Sequence, residues 1–420
     1  MTSDGLLMTF NAGSSSAKLG IFEIDSERAR PIAKGAIDFR TAPLRFHIAD
    51  GHTTRDVALK AEASDDLREV LTETFGWLAK HFDMGRVELI GHRVVHGGDK
   101  FAGPVPIDDA VIDAIDALTM LAPLHQPQSV RVVKAIRHLR PDLLQMASFD
   151  TAFHRSNEAI VQRFAIPRRL HDQGLKRYGF HGLSYKYIAA ELARRVPDLA
   201  KGKVVVAHLG SGASLCAIEG CVSRDTSMGF STLDGIPMAT RCGTIDPGVL
   251  LHLLGPLNRS LHEVEDILYH QSGLMGVSGF SADTRELQAS ERPEAREALD
   301  LFAFRTAGEI ARLIATLGGI DALVFTAGIG EHQPQIRAAI SRRLSWLGLE
   351  LDPLANGGNA EVISATSSRI RALVIPTDEE QVIADEAVAT LRAVRCASTP
   401  TYPIGAGIEI DSDQGAAMQQ

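Results

Sequence analysis

The sequence has no surplus of positive charge: 43 Lys and Arg stand against 52 Asp and Glu, a formal net charge of -9. Nothing therefore compensates a nucleic-acid backbone or an anionic membrane surface, and neither is expected as a partner. Cysteine is scarce. Cys216, Cys221, Cys242 and Cys396 form no CxxC pair and have no histidine at zinc-ligand spacing, which points to free thiols in a reducing compartment. Long apolar runs are missing as well. The richest helical stretch, LFAFRTAGEIARLIATLGG, carries Arg305, Glu309 and Arg312, well short of the roughly 18 uncharged residues that a membrane span needs. MTSDGLLMTF offers no basic stretch leading into an apolar run and a small-residue cleavage site, so a cytoplasmic protein is expected. There is also no GxxxxGK[ST] and no first-strand GxGxxG followed by an acid about 20 positions on, which weighs against P-loop and dinucleotide-binding designs.

What is there fits two globular domains: 420 residues, 45% hydrophobic and 23% charged, enough to fill two cores. The apolar run LLMTF is broken by the Gly- and Ser-rich turn NAGSSSAK and followed by the alternating run LGIFEI, which predicts a β-hairpin. KVVVAHL, GSGAS and LCAIEG repeat that grammar near the middle of the chain. The repetition predicts an internal duplication, two related α/β domains facing each other across a cleft. Helices are predicted where period and caps agree: QPQSVRVVKAIRHLRPD, SYKYIAAELARRV, the stretch from Pro293 to Gly318 and Gly319, and a last helix from Asp378 to about Arg395. The tail STPTYPIGAGIEIDSDQGAAMQQ is expected to be poorly ordered.

Three glycine turns follow apolar strands: NAGSSS at 11–16, HLGSGAS at 208–214 and TAGIGE at 326–331. Glycine lets the backbone come close to a phosphate and turn N–H groups toward it, and the hydroxyls of Ser14, Ser15, Ser16 and Ser211 add donors. One such turn is weak support; three are much stronger. A second set places charged or imidazole residues beside glycine, proline or aromatics in expected loops: GHRVVHGG (91–98), APLHQP (122–127), FDTAFH (149–154), YGFHGLSY (178–185) and ATRCGTIDP (239–247). Any single histidine among them is explained as well by capping or by satisfying buried backbone. Together, Arg93, Arg241, His125, His181, His208 and Asp150 supply what phosphoryl transfer to an anion requires, namely positive and hydrogen-bonding groups that offset charge on the transferred group.

On these motifs, with the late IPTDEE, the chain resembles the acetate kinase family over about 390 residues. The resemblance implies an α/β fold of two duplicated actin-like (ribonuclease H-like) domains flanking a nucleotide cleft. The expected limits are 1–150 for the N-terminal domain, with a return helix at about 380–396, then 151–379 for the nucleotide-binding domain and 397–420 for a flexible tail. It implies reversible, magnesium-dependent transfer of the ATP γ-phosphoryl to acetate, giving acetyl phosphate and ADP, with Mn2+ as a substitute metal and a homodimeric enzyme. Asn11 and Glu379 would lie at the metal site, with Glu380 as the alternative acid, and Lys18 near ATP. Arg93 would hold the acyl substrate, and Asp150, His181 and Arg241 would be catalytic. His208, Leu209, Gly210, Ser211 and Gly212, then Asp283, Thr284 and Arg285, then Gly328, Ile329, Gly330, Glu331 and His332 match the segments that grip phosphates and adenosine. Val95, Leu124, His125, Phe180 and Thr232 fall at the acyl pocket.

Acetate is ionised near neutral pH and needs no deprotonation, so Asp150 is better assigned to orienting Arg93, Arg241 or a metal-bound water. A lone Lys18 on a hairpin would ordinarily be a solvated face residue, and Glu379 and Glu380 also suit a helix start. Asn11 and Glu379 stand at opposite ends of the duplicated plan, so their meeting is expected to need a closed cleft. The chain departs from the family's usual HLGNGAS at Ser211, from FTPLEG in its FSTLDG, and from HGTSH in its HGLSY. The second departure puts Thr232 where the family has proline, and with it the fit of the acyl chain. Propionate kinase is the alternative within the class. An actin-like ATPase switch or filament protein is the alternative outside it, and such a protein would not need Arg93, His181 and Arg241 together.

Overall fold

The structure, a computed structural model, describes residues 5–397 except 14, 15, 26, 27, 40, 52 and 63–66. The tail at 398–420, and with it the expectation of disorder, lies outside the described residues, as do Ser14 and Ser15. Thirteen strands among the described residues form two sheets. The first holds β1 (Leu6–Ala12), β2 (Ser16–Ile24), β3 (Ala29–Asp38), β4 (Arg45–Asp50), β5 (Thr53–Ala58), β6 (Val87–Val94), β7 (Val105–Pro106) and β8 (Leu144–Phe149), in the order β5-β4-β3-β2-β1-β6-β8-β7. The second holds β9 (Lys203–Leu209), β10 (Ala213–Glu219), β11 (Val222–Thr226), β12 (Ala322–Thr326) and β13 (Arg371–Val374), in the order β11-β10-β9-β12-β13.

The duplication is visible in these orders. In each sheet an antiparallel hairpin, β1–β2 or β9–β10, has its first strand paired in parallel with a later one, β6 or β12, which in turn pairs in parallel with β8 or β13. All seven residues of β1 are buried, as a strand covered on both faces requires. Met8 and Phe10 join the core with Val70 and Leu71 of the helix Arg68–Leu78 and with Val132 and Ile136 of the helix Gln126–Leu139. On the opposite face Leu7 meets Ala384, Val388 and Leu391 of the last helix, Glu379–Ala397. In the second sheet Val205 and Ala207 share a core with Ala303 and Ile310 of the helix Pro293–Leu317, while Val204 and Val206 face Tyr185, Ile188 and Leu192 of the helix Gly182–Arg195.

The last helix therefore crosses back to the first sheet and also touches the second lobe, through Val382 and Ile383 against Leu183. Its approach to β6 is tight enough that a Cβ on Gly91 would stand 2.6 Å from Ile383 Cγ2. Several motifs expected in loops are ends of regular structure instead. Gly91–Val94 finish β6, Asp150–Ser156 form a 3-10 helix, and TAGIGE runs from β12 straight into the short helix Ala327–His332. These are carboxyl ends of strands, where open α/β sheets gather ligands. The four cysteines are free thiols, and no helix among the described residues is long and apolar enough to cross a membrane.

Candidate active site

A cavity of about 520 Å³ opens between the two sheets, bounded by both hairpin turns. Of the residues predicted from sequence it is lined by Asn11, Lys18, Arg93, Val95, His125, Asp150, Phe180, His181, His208, Gly210, Ser211, Gly212, Thr232, Arg241, Gly328, Glu331 and Glu379. Leu124, Leu209, Asp283, Thr284, Arg285, Ile329, Gly330 and His332 are not on its walls. Leu209 closes β9 in the core. Asp283 caps the helix Thr284–Ala289 through Arg285 N at 2.8 Å and pairs with the exposed Arg285 side chain. Gly330 is buried with its carbonyl on Arg337, and His332 is largely exposed. Gly13, Ser16, Ala327, Thr377 and Glu380 complete the lining. Sequence names Ser16 as a hydroxyl donor and Glu380 as the alternative acid; Gly13, Thr377 and Ala327 belong to NAGSSS, IPTDEE and TAGIGE without being singled out there.

One wall is charged. Arg93, at the end of β6, donates from Nε and Nη2 to both carboxylate oxygens of Asp150, one residue past β8, at 2.6–3.2 Å. Its Nη1 donates to Asn11 Oδ1 at 3.0 Å. Asn11 Nδ2 in turn donates to Glu379 Oε2 at 2.9 Å and Glu380 Oε1 at 3.1 Å. Burial pushes the Asp150 carboxyl above the usual carboxylate range against the pull of Arg93. Burial also works to raise Glu379, yet Arg93, His208, Lys18 and Asn11 together hold it low. The expectation that Asn11 and Glu379 meet only across a closed cleft is overturned. Glu379 begins the helix that packs on the first sheet, so both belong to the same lobe and touch directly.

The facing wall carries neutral imidazoles. His181 and His208 stack, ring centroids 4.3 Å apart and planes 17° from parallel. Burial is the main cause that lowers each: His208 to about 4, His125 to about 3, and His181 well below the ordinary value, with His208 and the two arginines adding to the effect at His181. His208 Nδ1 meets Ser184 Oγ at 2.8 Å. His181 is held in a left-handed backbone (φ 56°) at the start of the helix Gly182–Arg195. Gly182 is required there, since a Cβ would stand 1.8 Å from the Asp150 carbonyl oxygen. Arg241 Nη1 donates to Thr232 O at 3.2 Å and lies 3.8 Å from Met238 Sδ. No ion pair joins it to a carboxylate among the described residues, and burial lowers its pKa. Glu331 lines the cavity and also ties two segments together. Its Oε1 accepts from Ala327 N at 2.8 Å and Thr377 N at 3.1 Å, tying the end of β12 to the segment before Glu379.

Two lobes of one duplicated plan, with a cleft lined by guanidinium groups, imidazoles and glycine turns, place the protein in the actin-like class of α/β proteins. Within that class the chain belongs to the Acetokinase family, whose model matches residues 6–385. It is 47% identical over 390 residues to an acetate kinase of Rhodopseudomonas palustris strain TIE-1, covering 90% of this chain and 96% of the relative. It is 44% identical to an acetate kinase of Methylocella silvestris, covering 92% and 98%. Among solved structures, a propionate kinase from Francisella tularensis superposes with TM-score 0.85 at 33% identity, covering 91% of this chain and 98% of that one. The acetate kinase of Porphyromonas gingivalis gives 0.82 at 30%, covering 92% and 100%.

Proposed function

We propose that this chain transfers the γ-phosphoryl of ATP reversibly to acetate, giving acetyl phosphate and ADP by direct in-line displacement. The observation that carries the reading is Arg241, a partly buried guanidinium without a carboxylate partner among the described residues, lining the same cleft as the Arg93–Asp150 pair. An anion entering between them meets one cation oriented by an acid and one whose charge is unmatched. Arg93 holds the acyl carboxylate, and Asp150 keeps its guanidinium in place. Arg241 and His181 take up charge on the equatorial phosphoryl oxygens as transfer proceeds. Lys18, His208 and the 210–212 turn hold the nucleotide phosphates, with Gly328 beside them. Val95, Phe180 and Thr232 enclose the methyl group.

The donor set fits a divalent ion, because Glu379 and Glu380 offer carboxylate oxygens on one helix start while Asn11 orients both. Mg2+ uses one or two carboxylates with substrate phosphates and water in this way, and Mn2+ would substitute. Held by Glu379 and Glu380, such an ion would offset charge on the nucleotide phosphates. Propionate remains the second substrate, since one methylene in an apolar pocket is worth only ~1–3 kcal/mol. Functionally the lobes divide near residue 150, with the return helix Glu379–Ala397 joining the first. A cytoplasmic homodimer completes the proposal: the helix Pro247–Leu254 buries none of its residues, and Leu251, Leu257 and Leu261 are exposed nearby, an apolar face suited to a second copy.

The test is hydroxamate trapping with ATP, Mg2+ and a panel of carboxylates. Acyl hydroxamate formed with acetate or propionate alone supports the proposal; no turnover with any short acid refutes it and favours an ATPase switch.

A further inference from the structure

Behind His181 lies a second set of polar groups to which the motif reading gave no role. Tyr185 is fully buried in the first turn of the helix Gly182–Arg195. Its hydroxyl meets Ser214 Oγ, and the same Ser214 Oγ lies 2.8 Å from His181 Nδ1. Ser214 is fully buried as well. The nearby Cys216 thiol is turned elsewhere, toward Ala217 O at 3.6 Å and Ser223 Oγ at 3.5 Å. On the cleft side, His181 Nε2 stands 3.3 Å from where a Cβ of Gly212 would be, so the ring shows that nitrogen to the phosphate turn.

Three protons must be distributed along this line. A tyrosine hydroxyl and a serine hydroxyl each carry one, and a neutral imidazole carries one on either nitrogen. If Tyr185 donates to Ser214, the serine proton points on to Nδ1, which accepts, and the ring proton sits on Nε2. The reverse direction would have His181 Nδ1 donate to Ser214 and Ser214 donate to Tyr185, leaving the phenolic proton without an acceptor in a fully buried place, which is the costlier arrangement. We propose that Tyr185, acting through Ser214, is a positioning residue that fixes His181 as the Nε2–H tautomer, so that His181 presents a donor and not a lone pair to the transferring phosphoryl group. The catalytic consequence rests on the phosphotransferase reading above; the tautomer does not. A histidine at position 185 also carries a ring N–H able to donate, so Tyr185→His is the conservative replacement.

The test uses the full-length protein labelled with 15N-histidine, with the His181 ring read by long-range 1H–15N correlation in the wild type, Tyr185→Phe, Ser214→Ala and Tyr185→His. The wild type should show a protonated Nε2 and an accepting Nδ1. Tyr185→Phe keeps the ring in its core and should lose that single tautomer, with kcat falling roughly 10-fold, the scale of one lost buried hydrogen bond, and with KM for ATP unchanged. Ser214→Ala should do the same without touching the aromatic packing, so it decides the matter should Tyr185→Phe fold poorly. Tyr185→His should restore the Nε2–H form and most of kcat. A wild-type ring protonated at Nδ1, or an Nε2–H signal unchanged in Tyr185→Phe and Ser214→Ala, overturns the assignment. A tautomer that changes in an active enzyme without any change in kcat overturns the positioning role. Should the wild type phosphorylate no short acid, the proposed function fails while the spectrum still decides the tautomer.

Discussion

Arg93 reaches the cleft with its Nε and Nη2 on Asp150 and its Nη1 on Asn11, whereas Arg241 has a carbonyl oxygen and a thioether beside it. Both are largely buried, so desolvation acts on both. At Arg93 the acids Asp150, Glu379 and Glu380 outweigh it and hold the guanidinium firmly charged. At Arg241 nothing of that kind does. The contrast separates orientation from attraction. A matched cation is a rigid template, while an unmatched buried one gains most when an anion, or the charge of a transition state, arrives beside it.

The strongest way to break this comparison is Arg241→Ala, which should lower kcat by roughly 10³ or more, the scale of a lost charge clamp, while KM for acetate moves little. A loss carried by KM alone would make Arg241 a second substrate anchor and erase the contrast. Asp150→Ala leaves Arg93 charged without its partner and should cost ~3–5 kcal/mol of stability, as breaking a buried pair does. Denaturant unfolding of the Arg93→Ala/Asp150→Ala double variant should then show less than the sum of the single losses; additive losses would mean the pair is not a unit.

The imidazole wall sharpens the comparison through pH. A histidine whose folded pKa is lowered binds its proton more readily in the unfolded chain, so its stability is present above 6.5 and drains as pH falls toward about 4 for His208. Melting temperature should therefore drop between pH 7 and pH 5, and His208→Gln should flatten that slope. A slope unchanged in His208→Gln would show that this ring does not set it. The smallest effect belongs to Thr232→Pro. Proline keeps the carbonyl that Arg241 uses but removes the hydroxyl that interacts with Tyr269. The propionate-to-acetate ratio of kcat/KM should shift by about 10-fold, toward the lower end of the ~1–3 kcal/mol scale of a pocket methylene, with KM for ATP constant. An unchanged ratio would show that Thr232 does not shape the acyl subsite.

The elements carried by local pattern were legible. The continuous apolar run of β1, the paired hairpins, and the long helix ended by Gly318 in a left-handed conformation all follow from neighbours in sequence. The partners were not. Sequence left Asp150 free to orient Arg93, Arg241 or a water, because only the parallel register of β6 with β8 sets it beside Arg93. Asn11 finds Glu379 across 368 positions by way of a helix that changes lobes. Glu331 lines the cleft as TAGIGE suggests, but sequence could not show that its Oε1 also accepts from the N–H of Thr377 and of Ala327, the latter a non-glycine residue at φ 64° that no turn signal announces.

The helix Glu379–Ala397 also imposes an order on the making of the protein. Leu7, Phe22, Leu89 and Met146 form one apolar face, and Ala384, Val388 and Leu391 cover it. At synthesis rates of about 5–20 residues per second, the ribosome takes on the order of tens of seconds to pass from the first strand to that helix. For that interval the nascent N-terminal lobe carries an open hydrophobic face, a surface that holdase chaperones bind and that neighbouring chains on a polysome can seize. A stop codon just before Glu379 would leave every strand of both sheets in place and still yield a chain with that face permanently bare.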